Sequence, residues 1–195
     1  MSATVLGLIG GIASGKSSVA GLFEAERPCT RIDADVLARR VLRSPSVQRA
    51  LRERFPRMVG PDGSFDRKKM ASLVFQKPAE LAALEAILHP PILRGIRSAI
   101  ARARSEYILL DAPLLLETGL DRLCNALVYV ACPARVRRRR AAHTRGWSED
   151  EHRQRESRQW SLRRKRARAD YIVNNGSTPA VARRDVRRIL RRIEG

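Results

Sequence analysis

The apolar positions of the chain follow two periods. Thr4-Val5-Leu6-Gly7-Leu8-Ile9, Tyr107-Ile108-Leu109-Leu110-Asp111 and Ala126-Leu127-Val128-Tyr129-Val130-Ala131-Cys132 are short, nearly unbroken apolar runs stopped by glycine, acid or proline. That is the pattern of strands buried on both faces. Cys29-Thr30-Arg31-Ile32 and Tyr171-Ile172-Val173 are shorter runs of the same kind. Elsewhere apolar residues recur at three and four. Val19, Ala20, Leu22 and Phe23 predict a helix over 16–26, closed by Pro28; Val36, Leu37, Val41 and Leu42 predict a second. Residues 45–105 predict helices alone. Val47, Leu51 and Phe55 follow Pro45, with breaks at Pro56 and Pro61-Asp62-Gly63; Met70, Leu73 and Val74 come next; Leu81, Leu84, Ile87 and Leu88 follow Pro78. Beyond a break at His89-Pro90-Pro91, Ile92, Ile96 and Ile100 resume the stripe. A last helix opens at Pro179 with Ala182, Val186, Ile189, Leu190 and Ile193 on one face. Strands alternating with helices predict an α/β chain built on a five-stranded, mainly parallel sheet between two helical layers.

The first strand runs into Gly10-Gly11-Ile12-Ala13-Ser14-Gly15-Lys16-Ser17, a full match to GxxxxGK[ST], and a helix follows at once. Strand, glycine loop and helix form the context of a phosphate-binding loop, which points to a P-loop NTPase fold. Glycines let backbone N–H groups approach phosphate oxygens, and the helix aims its positive dipole end at the same anion. Gly11, Ile12, Ala13, Ser14, Gly15, Lys16, Ser17 and Ser18 are the nucleotide-binding candidates. Lys16 supplies charge for the β- and γ-phosphates, and the Ser17 hydroxyl is expected to ligate Mg²⁺. Asp111, the acid closing an apolar strand, stands in the Walker B position and is the second Mg²⁺ candidate, directly or through water.

Asp33 and Asp35 close the second strand, where open α/β sheets bind ligands, and residues two apart in an extended segment share a face. Asp35 also suits a helix N-cap, and both readings stand on sequence alone. Glu117 reads equally as catalytic support or as a solvated loop acid. His89 reads either as a substrate contact or, in the blander and preferred reading, as a helix-end histidine held by its neighbours.

The chain has 195 residues, 44% hydrophobic and 30% charged, sized for one compact domain. Its balance is unusual: 39 Lys and Arg against 20 acids, a formal charge of +19, suited to polyanions such as nucleotides or nucleic acid. The arginines concentrate over 135–168, where Ser148 and Glu151 have capping-box spacing and a basic helical hairpin is predicted. Such a hairpin suits a lid that closes on ATP, most of its arginines acting as solvated field. Three cysteines without CxxC spacing argue against a disulfide framework or a zinc site. No basic segment precedes the first apolar run and no apolar run spans a bilayer, so a cytoplasmic protein is expected. Aromatics are only 5%, and no RNP-type motif or NKxD signature is present, so specific nucleic-acid binding and guanine selectivity are not expected.

Several stretches together resemble the dephospho-coenzyme A kinase family, within the nucleoside-monophosphate-kinase group. They are Gly10-Gly11-Ile12 with Ser14-Gly15-Lys16-Ser17; Ile32-Asp33-Ala34-Asp35-Val36-Leu37-Ala38-Arg39; Leu84-Glu85-Ala86-Ile87-Leu88-His89-Pro90; Asp111-Ala112-Pro113-Leu114-Leu115-Leu116-Glu117; Gln159 with Ala169-Asp170; and Ile172-Val173-Asn174-Asn175-Gly176-Ser177. The resemblance implies ATP-dependent phosphorylation of the ribose 3′-hydroxyl of dephospho-coenzyme A. It implies Asp35 as the base, Asp33 as the second candidate, and Arg145 on the transferring phosphate. The 174–177 loop, Asn175 included, would lie by the adenine. Residues 1–35, 106–134 and 169–195 would form the nucleotide-binding core, 36–105 the acceptor-binding region and 135–168 the lid, in a monomer or weak homo-oligomer. Two positions depart from the family: Ile9 stands where it usually has Thr, and Ala13 where it usually has Gly. The alternatives are a P-loop kinase for another nucleoside or nucleotide, and a basic nucleic-acid-binding P-loop NTPase.

Overall fold

The structure, a computed structural model, describes residues 3–60, 66, 69, 70, 73, 74, 77–157 and 159–195, with Arg145 described in its backbone only. Five strands form one sheet: β1 (Thr4–Gly10), β2 (Cys29–Asp33), β3 (Tyr107–Asp111), β4 (Ala126–Ala131) and β5 (Tyr171–Asn174). Their order is β2-β3-β1-β4-β5, and every pairing is parallel. The helices with described bounds are α1 (Lys16–Glu26), α2 (Ala34–Leu42), α3 (Pro45–Arg54), α4 (Pro78–Arg102), α5 (Ala134–Arg145), α6 (Glu149–Glu156), α7 (Leu162–Ala167) and α8 (Pro179–Glu194), with 3₁₀ turns at Pro56–Met58 and Leu120–Leu123.

The chain divides into two compact units, one of residues 1–33 with 102–195 and the other of residues 34–101. In the first, β1, β3 and β4 are the inner strands of the sheet, and each has a central run of fully buried residues. Leu6, Leu8, Leu109, Val128 and Val130 pack with Val19, Ala20 and Phe23 of α1 and Ala182, Val186, Ile189 and Leu190 of α8. Each fully buried aliphatic side chain of this kind contributes about 1.5–3 kcal/mol, so the stripe on α8 is what docks it. Parallel strands all point one way, so the carboxyl ends of β1, β2 and β3 gather at one edge of the sheet.

The second unit has its own core of Val47, Leu51, Phe55 and Met70, with Leu73, Val74, Leu84, Ile87 and Leu88 against it. The expected turn at 61–63 lies outside the described residues. Two expectations fail here. Leu81 is exposed rather than part of the apolar face. The break at His89-Pro90-Pro91 is absent, because α4 runs unbroken from Pro78 to Arg102 with both prolines inside. An interior proline costs a helix about 3 kcal/mol. Packing of the partly buried Leu84, Ile87 and Leu88 before the pair and burial of Ile96 after it hold the helix together across that cost.

Candidate active site

Between β1 and α1 the chain turns through residues 11–15. Gly15, the N-cap of α1, has φ 88° and ψ 34°, and a Cβ there would stand 2.2 Å from the Asn175 amide nitrogen. Only glycine meets both demands. Ala13 has φ 56°, the left-handed region, which an L side chain adopts at a cost. Gly11, Ile12 and Ser14 are buried, Ala13, Gly15 and Lys16 half-buried, Ser17 and Ser18 exposed.

The back of this loop is held by other elements. Asn175 Nδ2 donates to the carbonyls of Ser14 (2.8 Å) and Gly15 (3.4 Å). Arg140 of α5 donates through Nη1 to Ser14 O (3.3 Å) and through Nη2 to Asn175 O (3.2 Å). Asn174 is fixed in turn, its backbone and side-chain nitrogens each 3.0 Å from Oδ2 of the buried Asp185 on α8. In a planar trans peptide the N–H points opposite to the C=O. Pinning the carbonyls of Ser14 and Gly15 from behind therefore turns the N–H groups of Gly15 and Lys16 forward, as an anion cradle requires.

At the sheet edge the Ser17 hydroxyl lies 3.3 Å from Asp111 Oδ2, and Arg31 Nη2 donates to the same oxygen at 2.8 Å. Asp33 ends β2 in register with Asp111 at the end of β3. The structure thus brings Lys16, Ser17, Asp111 and Asp33 together at the strand ends. Asp35 lies two residues further on, exposed, in the first turn of α2. Because α2 begins at Ala34, Asp35 is inside the helix rather than its N-cap, where a carboxylate still benefits from the positive helix end. Arg145 closes α5, and its side chain lies outside the described residues.

The basic hairpin forms as predicted, with α6 opened by the Ser148–Glu151 capping box. Glu117 is not a free, solvated loop acid. It pairs with the buried Lys165 of α7 at 3.1 Å and accepts from the Trp160 backbone N–H at 2.7 Å, while Lys165 also donates to Gln159 Oε1 at 2.9 Å. This bridge ties the segment after β3 to the end of the basic hairpin. Arg155 and Arg164 cover the rings of Trp147 and Trp160, at 4.3 and 3.3 Å from the ring centres. Beside the 174–177 loop, a cavity of about 450 Å³ is lined by Tyr129, Cys132, Pro133, Arg166, Asn174, Gly176 and Ser177.

Sequence reasoning missed Arg31, Arg137 and Arg140 as individuals. Arg31 precedes Asp33 by two, so strand alternation puts both on one face and could have singled it out. Arg137 and Arg140 are three apart within a run of four arginines, a spacing that shares a helix face. Nothing in the composition separates them from Arg138 and Arg139.

Comparison with known proteins points the same way as this geometry. A family model described as dephospho-CoA kinase matches residues 4–180. A dephospho-CoA kinase from Synechococcus sp. (strain CC9902) is 39% identical over 174 residues, covering 87% of each chain. One from Deinococcus radiodurans is 38% identical over 192 residues, 97% of this chain and 92% of the relative. A crystal structure from Thermus thermophilus superposes with a TM-score of 0.89 at 31% identity and full coverage of both chains. With its phosphate loop, strand-end acids and basic hairpin matched along nearly its whole length, the chain belongs to the dephospho-CoA kinase family.

Proposed function

We propose that this protein transfers the γ-phosphoryl group of ATP to the ribose 3′-hydroxyl of dephospho-coenzyme A, yielding coenzyme A and ADP. The observation that carries the reading is the pinned phosphate loop beside the Ser17–Asp111 pair, in a chain whose relatives are named for this reaction. The buried Ser14 hydroxyl makes no hydrogen bond among the described residues, and a phosphate oxygen would supply its partner.

Lys16 and the N–H groups of Gly15 and Lys16 bind the β- and γ-phosphates, and the rest of 11–18 surrounds them. The donor set suits Mg²⁺, which takes one or two carboxylates and borrows its other ligands from phosphates and water. Ser17 and Asp111 supply that partial set, and no cluster of three or more acids, histidines or cysteines stands among the described residues. Bound there, the ion would neutralise charge on the phosphate oxygens. Arg31 fixes the Asp111 carboxylate for that purpose.

Asp35 accepts the proton of the 3′-hydroxyl as its oxygen attacks the γ-phosphorus, and ADP leaves. Asp33 is the alternative base. Adenine occupies the cavity beside 174–177, Asn175 serves the nucleotide by holding the loop, residues 36–105 bind the acceptor and Arg145 meets the transferring phosphate. The substrates are small molecules, and no described helix is long and apolar enough to cross a membrane.

The test is a coupled ADP-release assay with Mg-ATP and dephospho-coenzyme A, with AMP, nucleosides and RNA in parallel. Release that depends on dephospho-coenzyme A, with coenzyme A as product, is expected. Release stimulated only by another acceptor would overturn the assignment. Asp35→Asn should abolish transfer while leaving ATP binding nearly intact; normal turnover by that variant would move the base to Asp33.

A further inference from the structure

Among the described residues of the basic hairpin, Arg137 is the buried arginine, only 3% exposed. Its Nε donates to the carbonyl of Cys132, just past β4, at 3.2 Å, and its Nη1 is paired with Glu156 at the end of α6. The same Nη1 would lie 2.8 Å from a Cβ placed on Gly11, with Leu162 of α7 at 3.1 Å. The guanidinium therefore rests on the turn of the phosphate loop itself. Glu156 also has His152 Nδ1 3.9 Å from its other oxygen, and His152 is as buried as Arg137.

A charge so placed does two things. It braces the Gly11 turn against the hairpin, and it adds positive potential where a polyphosphate binds. Because Arg137 is withdrawn from water its field is weakly screened, while Glu156, with 32% of its side chain exposed, offsets it from the rim. Glu156 then decides how much of the Arg137 charge a nucleotide feels. We propose that Arg137 is a positioning residue for the phosphate loop and that Glu156 sets the net charge it presents to a bound nucleoside triphosphate. This rests on reading residues 10–17 as the ATP phosphate loop.

A purely mechanical brace and this electrostatic one predict different signs. Arg137→Gln leaves the Glu156 carboxylate uncompensated beside the loop, lowering the local charge by one. Glu156→Gln keeps an oxygen for Arg137 to donate to, but raises the local charge by one. Binding of ATP and ADP, measured by calorimetry on the wild type and both variants, should weaken about 10-fold in Arg137→Gln and tighten about 2- to 5-fold in Glu156→Gln. The double variant, neutral again, should recover most of the loss. Arg137→Lys should recover it in part, since charge returns without the fork geometry. The KM for ATP should follow these changes while kcat moves less.

Equal weakening in both single variants, with no recovery in the double, would reduce the pair to a structural clasp and overturn the proposal. If Arg137→Gln does not fold, Glu156→Gln alone decides: tighter binding supports the proposal, and weaker or unchanged binding overturns it. Should the wild type bind neither nucleotide, the reading of the loop fails first, an outcome separate from any difference among variants.

Discussion

Asn175 reaches across from the end of β5 and donates its side-chain amide to the carbonyl of Ser14 in the phosphate loop, 2.8 Å away. Asp185 on α8 anchors the neighbouring Asn174. A helix far along the chain thus helps set the shape of the first loop. Asn175→Ala removes that donor from the buried Ser14 and leaves Arg140 to its carbonyl. The expected result is a loss of about 1–2 kcal/mol in denaturant stability and a higher KM for ATP with a smaller change in kcat. A variant with wild-type KM would show that Arg140 alone holds the loop.

Ala13 carries a testable strain. At φ 56° an alanine pays the Cβ clash that glycine escapes. Replacement by glycine relieves it, offset in part by the greater freedom of glycine in the unfolded chain. Ala13→Gly should raise the unfolding free energy by about 0.5–1 kcal/mol, read as a shifted urea midpoint at constant slope. A lower midpoint would mean the left-handed backbone is relieved by other contacts.

How far the sequence carried depended on burial. β1, β3 and β4 were legible because strands covered on both faces read as unbroken apolar runs, and α8 because one face is apolar and the other arginine. α4 was misread at Pro90-Pro91 because local proline chemistry is visible in a sequence, whereas the core that overrides it is assembled from residues far apart. The loop motif announced Lys16 and Ser17 by spacing. The residues that hold the loop gave no such signal: Asn175 is 161 residues from Ser14, and Arg140 stands in a run of identical side chains. Glu117 was ambiguous for the same reason, since its partner Lys165 lies in a segment that reads as solvated charge.

The clamp between α1 and α8 gives the protein an acid limb. Glu26 accepts from Arg187 at 2.8 Å with Arg183 near, and Glu194 accepts from Arg27 at 2.8 Å and from the Tyr107 hydroxyl at 3.2 Å. Hydrogen bonds and charge from Arg187 and Arg27, respectively, hold both carboxyls below the usual carboxylate range. A lowered folded pKa means the stabilisation is fully present above the unfolded value and is lost as pH falls through the folded one. Melting temperature should therefore hold steady near neutrality and drop below about pH 4.5. In Glu26→Gln/Glu194→Gln the melting temperature should be lower at pH 7 and its fall between pH 5 and pH 3 shallower; an unchanged profile would remove the clamp from the account. Because these pairs are exposed, added salt should flatten the wild-type profile as well.

Cys132 offers a direct reading of where the base of ATP sits. It lines the cavity beside 174–177, and burial raises its thiol pKa although Arg140, 3.6 Å from the sulfur, and Arg137 pull it back. Cys29 and Cys124 are pushed higher by burial, to about 11 and about 12. Only the thiolate is alkylated, so near pH 8.5 Cys132 should react with iodoacetamide fastest of the three and Cys124 slowest. Saturating Mg-ATP should slow Cys132 by about 10-fold or more by filling the cavity and leave the Cys29 rate unchanged, followed peptide by peptide by mass spectrometry. Equal protection of Cys29 would indicate general tightening of the fold rather than occupancy of this cavity. An unprotected Cys132 would put the adenine somewhere other than beside Asn174 to Ser177.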